Sequence, residues 1–139
     1  MGLKGLDNVK AAIADIDKPI NDKLRGFYLQ ALGNIAGGAP IDEGRTRSNF
    51  FLKVGTQSTE TTDDTSGNPH LEPMPDWVLG KKIFYVNNLP NIVTLEYGGY
   101  PGVGPKTAVG PGGIYSDQAV GGWVRKELLV LRAAIRTIS

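Results

Sequence analysis

The chain has 139 residues, the size of one ordinary domain, with 40% hydrophobic residues and a formal net charge of +1. That balance excludes a global basic field for nucleic acid or for an acidic membrane surface. There is no cysteine, which excludes disulfides and thiolate chemistry, and no apolar run approaches the ~20 residues that span a bilayer.

Nineteen glycines and nine prolines point to long irregular segments. Charge is unevenly spread. From Gln57 to Gly80 the chain carries Glu60, Asp63, Asp64, Glu72 and Asp76 with no Lys or Arg. From Asp117 onward, Arg125, Lys126, Arg132 and Arg136 outnumber Asp117 and Glu127. Opposite patches of this kind suit contact between copies. The N-terminus, MGLKGLDNVKAAIADI, lacks the hydrophobic block of a signal peptide. Leu6 stands where a myristoylation signal wants Ser or Thr. A soluble, unexported chain is the expectation.

Leu6, Val9, Ile13, Ile16, Ile20, Leu24, Phe27, Ala31 and Ile35 are spaced 3, 4, 3, 4, 4, 3, 4, 4. That spacing draws one apolar stripe on a helix. Asp7 is placed to cap its start, and Gly37-Gly38 to stop it. Pro19 removes one backbone bond at a cost of ~3 kcal/mol. The stripe keeps phase across it, so the spacing predicts one long helix kinked at Pro19. A break at Asp17-Lys18 is the alternative.

Residues 39–47 read as a turn in which Asp42 accepts backbone N–H bonds and Gly44 permits positive φ. Ser48 to Val54 alternates, with Phe50, Leu52 and Val54 on one face and Asn49, Phe51 and Lys53 on the other, as a strand does. Phe51 on the outer face implies that this face is covered too. Residues 57–76 read as a polar acidic arm that orders on assembly. Trp77, Val78 and Leu79 return the chain to the core, and residues 81–86 form a second strand.

Pro90 stops that ladder because it lacks an N–H, and it suits the first position of a short helical turn. Residues 98–113 are rich in glycine and proline and read as a loop with Tyr100, Val103 and Val109 as sticky points. Val120, Val124, Leu128, Leu131, Ile135 and Ile138 draw a second helical stripe, capped by Ser116 or beginning near Gly122. Arg132 and Arg136 complement its C-terminal end. The whole reads as a single α+β domain. A long kinked N-terminal helix and a C-terminal helix pack on a small, mostly antiparallel sheet with long loop arms.

Chemical motifs are weak. Gly102-Val103-Gly104-Pro105-Lys106-Thr107 glances at a phosphate loop, but Pro105 interrupts the Gly-Lys-Thr run and removes a donor. His70 is the single histidine and lies in the polar arm, so a solvated side chain is expected rather than a triad or zinc ligand. The acids of residues 57–80 lack the spacing of a calcium loop. Glu96 has no second carboxylate nearby in sequence and reads as a structural salt bridge or cap. No catalytic residue, cofactor or metal is expected.

Three patterns occur in order. Pro40-Ile41-Asp42-Glu43-Gly44-Arg45 is the first. Asn88-Leu89-Pro90-Asn91-Ile92, followed by Leu95-Glu96-Tyr97-Gly98, is the second. Tyr115-Ser116-Asp117-Gln118-Ala119, followed by Gly122-Trp123-Val124-Arg125, is the third. Together they resemble the neck or tail-completion proteins of tailed bacteriophages, including the minor tail protein Z type of lambdoid phages. The family patterns are Pro-x-Asp-Thr-Gly-x, Asn-x-x-Tyr-Ala with a downstream Glu-x-Gly, and Gln-Ala-Pro-x-Gly-Met-Val-Arg. Here Glu43 replaces the Thr, Asn91 the Tyr, Val120 the Pro and Trp123 the Met.

The resemblance implies a non-enzymatic virion subunit, assembled in the bacterial cytoplasm. It would form a hexameric or dodecameric ring of its own copies at the head–tail joint, around the DNA channel. Adjacent neck, connector and tail-tube or terminator proteins would be its partners, with no membrane. Tail-terminator and head-closure rings are close alternatives. A monomeric adaptor is more remote, as is a small hydrolase using Glu96. Candidate contact residues are the bases Arg45, Arg47, Lys53 and Arg125, the acids Asp63, Asp64 and Glu96, and Tyr100, Val103, Val109 and Trp123.

Overall fold

One helix, α1 (Gly2–Gly38), runs unbroken through Pro19. The computed structural model describes residues 2–41 and 44–138. Asp42 and Glu43, and with them the expected backbone bonds of Asp42, lie outside the described residues. α1 begins before Asp7, which is an interior residue and not its cap. Residues 5–16 are exposed, whereas Asn21 is only 1% exposed. Pro19 thus stands at the border between a projecting half and a docked half. The carbonyl its missing N–H would serve belongs to Asp15, in the exposed half where water can bond it.

The docked half is clasped by the loop before β3. Asn21 Nδ2 donates to the Asp76 carbonyl at 2.8 Å, and its Oδ1 accepts from the Val78 amide at 2.7 Å. Arg25 Nε donates to the Pro75 carbonyl at 2.9 Å. Val78 returns to the core at 2% exposure, while Trp77 stays 39% exposed.

After α1 come α2 (Arg45–Ser48), β1 (Phe50–Val54), β2 (His70–Leu71) and β3 (Ile83–Asn87). β1 lies between the other two strands, parallel to β2 (Phe51 opposite His70) and antiparallel to β3 (Leu52 opposite Tyr85). Then follow α3 (Ile92–Tyr97), a separate hairpin of β4 (Thr107–Gly110) and β5 (Gly113–Ser116), and α4 (Val124–Ile135). The architecture is α+β, with a long N-terminal helix, a C-terminal helix and small, mostly antiparallel sheets, as the stripe and alternation patterns predict.

Several boundaries differ from expectation. Ser48 closes α2 instead of opening β1, because its buried hydroxyl donates to the Gly44 carbonyl and accepts from the Gly67 amide. Gly44 has φ +74°, as expected, and a Cβ there would collide with the Thr65 carbonyl. The glycine-rich segment is not all loop, since β4 forms within it. Ser116 belongs to β5, and α4 starts only at Val124.

Two apolar clusters make the core. Ile35, Ala36, Ala39, Phe50, Leu95, Ala119 and Trp123 form the first. Leu52, Met74 and Val78 form the second, against Leu24, Tyr28 and Leu32 of α1. Tyr85 touches both and stacks on Phe50 at 5.1 Å between ring centroids. Burial pushes the Tyr85 hydroxyl above the ordinary tyrosine value. The unfolded chain therefore ionises at a lower pH than the folded one, which favours unfolding. This group costs the fold nothing below about pH 10, and stability falls as pH rises further. Tyr85→Phe is expected to flatten the fall of the urea midpoint between about pH 9 and pH 11 relative to the parent chain. An unchanged slope would place the hydroxyl in water.

Candidate interaction surface

The three sequence patterns converge in space. The Ile41 amide donates to Gln118 Oε1 at 2.7 Å, which joins the first pattern to the third. The second meets the third through Glu96. α3 forms where Pro90 and Asn91 admit a helical turn, and it ends at Gly98 with φ +77°. Glu96, on its last turn, is 6% exposed and points at the start of α4. Its carboxylate accepts from the amides of Trp123 at 3.3 Å, Val124 at 3.1 Å and Arg125 at 3.2 Å. Trp123, the N-cap residue of α4, supplies no side-chain cap. A remote carboxylate does that work, favoured by the positive end of the helix.

Arg125 closes the arrangement. Its Nε is 3.4 Å from Glu96 Oε1, and its Nη2 donates to the Glu96 carbonyl at 2.9 Å. The guanidinium carbon sits 4.2 Å from the centroid of the Tyr97 ring. Gly122 makes the approach possible: φ is +78°, and a Cβ would collide with the carbonyl and carboxylate of Glu96. The expected cap role of Glu96 is what the geometry gives.

Two candidate contact residues are therefore corrected. Glu96 and Trp123 are enclosed by their own chain; Trp123 is 8% exposed and donates from Nε1 to the Ile35 carbonyl at 2.8 Å. The charged candidates also find partners at home. Arg45 meets Asp63 at 3.3 Å, Lys53 meets Glu60 at 3.9 Å, and Arg47 donates to the carbonyls of Ala39 and Gly37. Tyr100 packs against the first cluster. Only Val103 and Val109 among the apolar candidates are well exposed, at 63% and 72%.

The acidic segment is likewise not a free arm. Asn49 binds both the amide and the carbonyl of Thr62, and Asn88 Nδ2 donates to the carbonyls of Ser58 and Glu60. His70 has partners that its sequence neighbours do not reveal. It stacks on Phe51 with centroids 5.1 Å apart, and its Nε2 is 3.3 Å from Asp64. That stack covers the outer face of β1, as Phe51 foretold. The Asp64 carboxyl is held below its usual range, first by the Ser66 amide, then by the Ser66 hydroxyl, with His70 adding to both.

Among the described residues no group of three or more His, Asp or Glu side chains is placed to hold a metal ion. Among the described residues no helix is long and apolar enough to cross a membrane.

No family model, curated protein or solved structure matches the chain.

What the candidate residues miss is a large apolar surface. Leu6, Val9, Ile13 and Ile16 lie along one side of the projecting half of α1, at 49%, 54%, 51% and 68% exposure. α4 has no buried residue, and Leu128, Leu129 and Val130 are 48%, 65% and 59% exposed. Between α1, β3 and α4 runs a groove of about 470 Å³, lined mainly by apolar and aromatic side chains. A length argument could have found the first of these surfaces. The 37 residues of α1 extend about 55 Å. A compact chain of this size has a radius of gyration of about 14 Å. Part of such a helix has nothing of its own to pack against.

Proposed function

We propose that this chain is a structural subunit of a tailed-bacteriophage virion. It forms a homo-oligomeric ring at the head–tail joint, as a neck or tail-completion protein, around the DNA channel. The observation that carries the reading is the uncovered apolar stripe Leu6, Val9, Ile13 and Ile16. Soluble monomers rarely leave contiguous patches of more than a few hundred Å² in water, and larger ones mark interaction sites. The three sequence patterns that resemble neck proteins supply the class of assembly. Their meeting at Glu96, Arg125 and Gln118 gives them a common task, which is to seat α4 on the rest of the fold. Neighbouring neck, connector and tail proteins are the further partners of such a ring. A tail terminator or a head-closure ring would use the same surfaces.

Light scattering and negative-stain imaging at micromolar concentration test the reading. A ring-sized species is expected, either alone or on addition of a neck partner. Ile13→Asp combined with Ile16→Asp should abolish it while leaving helical circular dichroism unchanged, because both side chains are already exposed. A parent chain that stays monomeric in both conditions would overturn the proposal. A one-to-one complex with an unrelated protein would favour an adaptor.

A further inference from the structure

We infer that the projecting half of α1 from one copy seats in the groove between α1, β3 and α4 of the next copy. This rests on the ring reading and specifies how neighbouring subunits join. Both halves of the contact are present on the same chain and unpartnered within it. The donor is the side of α1 bearing Leu6, Val9, Ile13 and Ile16. The acceptor is lined by Tyr28, Leu32, Ile83, Tyr85, Leu128 and Leu131. One of its polar atoms, the Tyr85 hydroxyl, already donates to the Leu32 carbonyl at 3.4 Å. An incoming apolar side chain therefore leaves that hydroxyl bonded.

Charge agrees with this pairing. The projecting half has three Asp and three Lys; Asp7, Asp15 and Asp17 stand against Lys10 beside the stripe, while Lys4 and Lys18 take the heptad position opposite it. Lys81 lines the groove, and Arg132 follows Leu128 by one turn of α4, with Arg136 one turn further. The acid on that helix, Glu127, accepts from Asn34 of α1 at 2.9 Å. Net-negative flanks of the stripe thus meet a positive rim, which fixes orientation and speeds encounter.

A symmetric zipper of two α1 helices fits less well. If Leu6 and Val9 are the first two seam positions of a heptad, Gly5, Ala12 and Pro19 flank them on one side, with Lys10 and Asp17 on the other. The flanking pairs that would set partner choice in a parallel zipper are then Gly5 with Lys10 and Ala12 with Asp17, neither of which is an ion pair. Donor and acceptor surfaces that differ give a head-to-tail joint, which closes into a ring when the rotation per subunit allows it.

The chain has no cysteine, so introduced thiols report cleanly. Ile13→Cys and Leu128→Cys, each in its own chain, are mixed in equal amounts and oxidised. Both positions are half exposed. A disulfide needs Cα atoms within about 7 Å, so the mixed dimer should exceed either same-site dimer by about tenfold. Residue 13 lies about 22 Å along the helix from Tyr28 in the groove wall, too far for a link within one chain. A chain carrying both substitutions should therefore give a ladder of linked copies. Val103→Cys, exposed but off the surface, is the control.

A 13-to-13 dimer in excess, or linkage no greater than the control in a sample whose rings are intact, would overturn the joint and leave the ring reading standing. Linked copies that never close into rings would support the joint and sink the ring reading. A monomer with no linkage would sink both.

Discussion

Glu96→Ala is expected to lower the unfolding free energy by about 2 kcal/mol in urea titrations followed by circular dichroism. Two losses combine. Three amides at the start of α4 lose their acceptor, and a missing helix cap costs about 0.5–2 kcal/mol. Arg125 also loses its carboxylate, but its guanidinium is half exposed and can turn to water, so this loss adds little. Glu96→Gln keeps one acceptor oxygen and removes the charge, so it should fall between parent and Ala. A loss below about 1 kcal/mol for Glu96→Ala, the range of an exposed pair, would mean the carboxylate is solvated rather than capping.

Trp123→Ala should cost about 4 kcal/mol, within the range for deleting a buried aromatic. The ring fills the space between Ile35, Ala36, Ala39, Phe50 and Leu95. Gly38 lies against it so closely that a Cβ there would sit 2.9 Å from Cδ1. Little can slide in to fill the void. Trp123→Phe isolates the polar part. It leaves the Ile35 carbonyl without the indole N–H, a loss of about 1–2 kcal/mol besides the change in volume. Thermal and urea unfolding at one protein concentration would separate the two variants. Equal stability of Trp123→Phe and parent would show that the indole bond contributes nothing net.

The parts of the fold that could be read in advance are those set by local chemistry. The apolar spacing kept phase across Pro19, and one helix crosses it. Pro90 announced α3, and the lack of a second carboxylate near Glu96 pointed to a cap. β2 could not be read because two residues have no period. His70 and Leu71 are a strand only through parallel pairing with Phe51 and Leu52, some nineteen residues away. β4 was hidden among glycines and prolines, and it forms because β5 pairs with it across a Pro111-Gly112 turn. The acidic segment looked free because its anchors, Asn49 and Asn88, carry no local sign that they reach across to it. At the interaction surface, Trp123 was a contact candidate beside the apolar stripe of α4; in the fold Gly121 and Gly122, both at positive φ, allow the turn that buries it.

The Glu96 contact also decides what the beginning of α4 will refuse. Bare amides at such a position ordinarily attract phosphate. Here an incoming phosphate would meet carboxylate oxygens already bonded to the amides of Trp123, Val124 and Arg125. Like charge would turn it away, so the amides at the beginning of this helix are closed to phosphate.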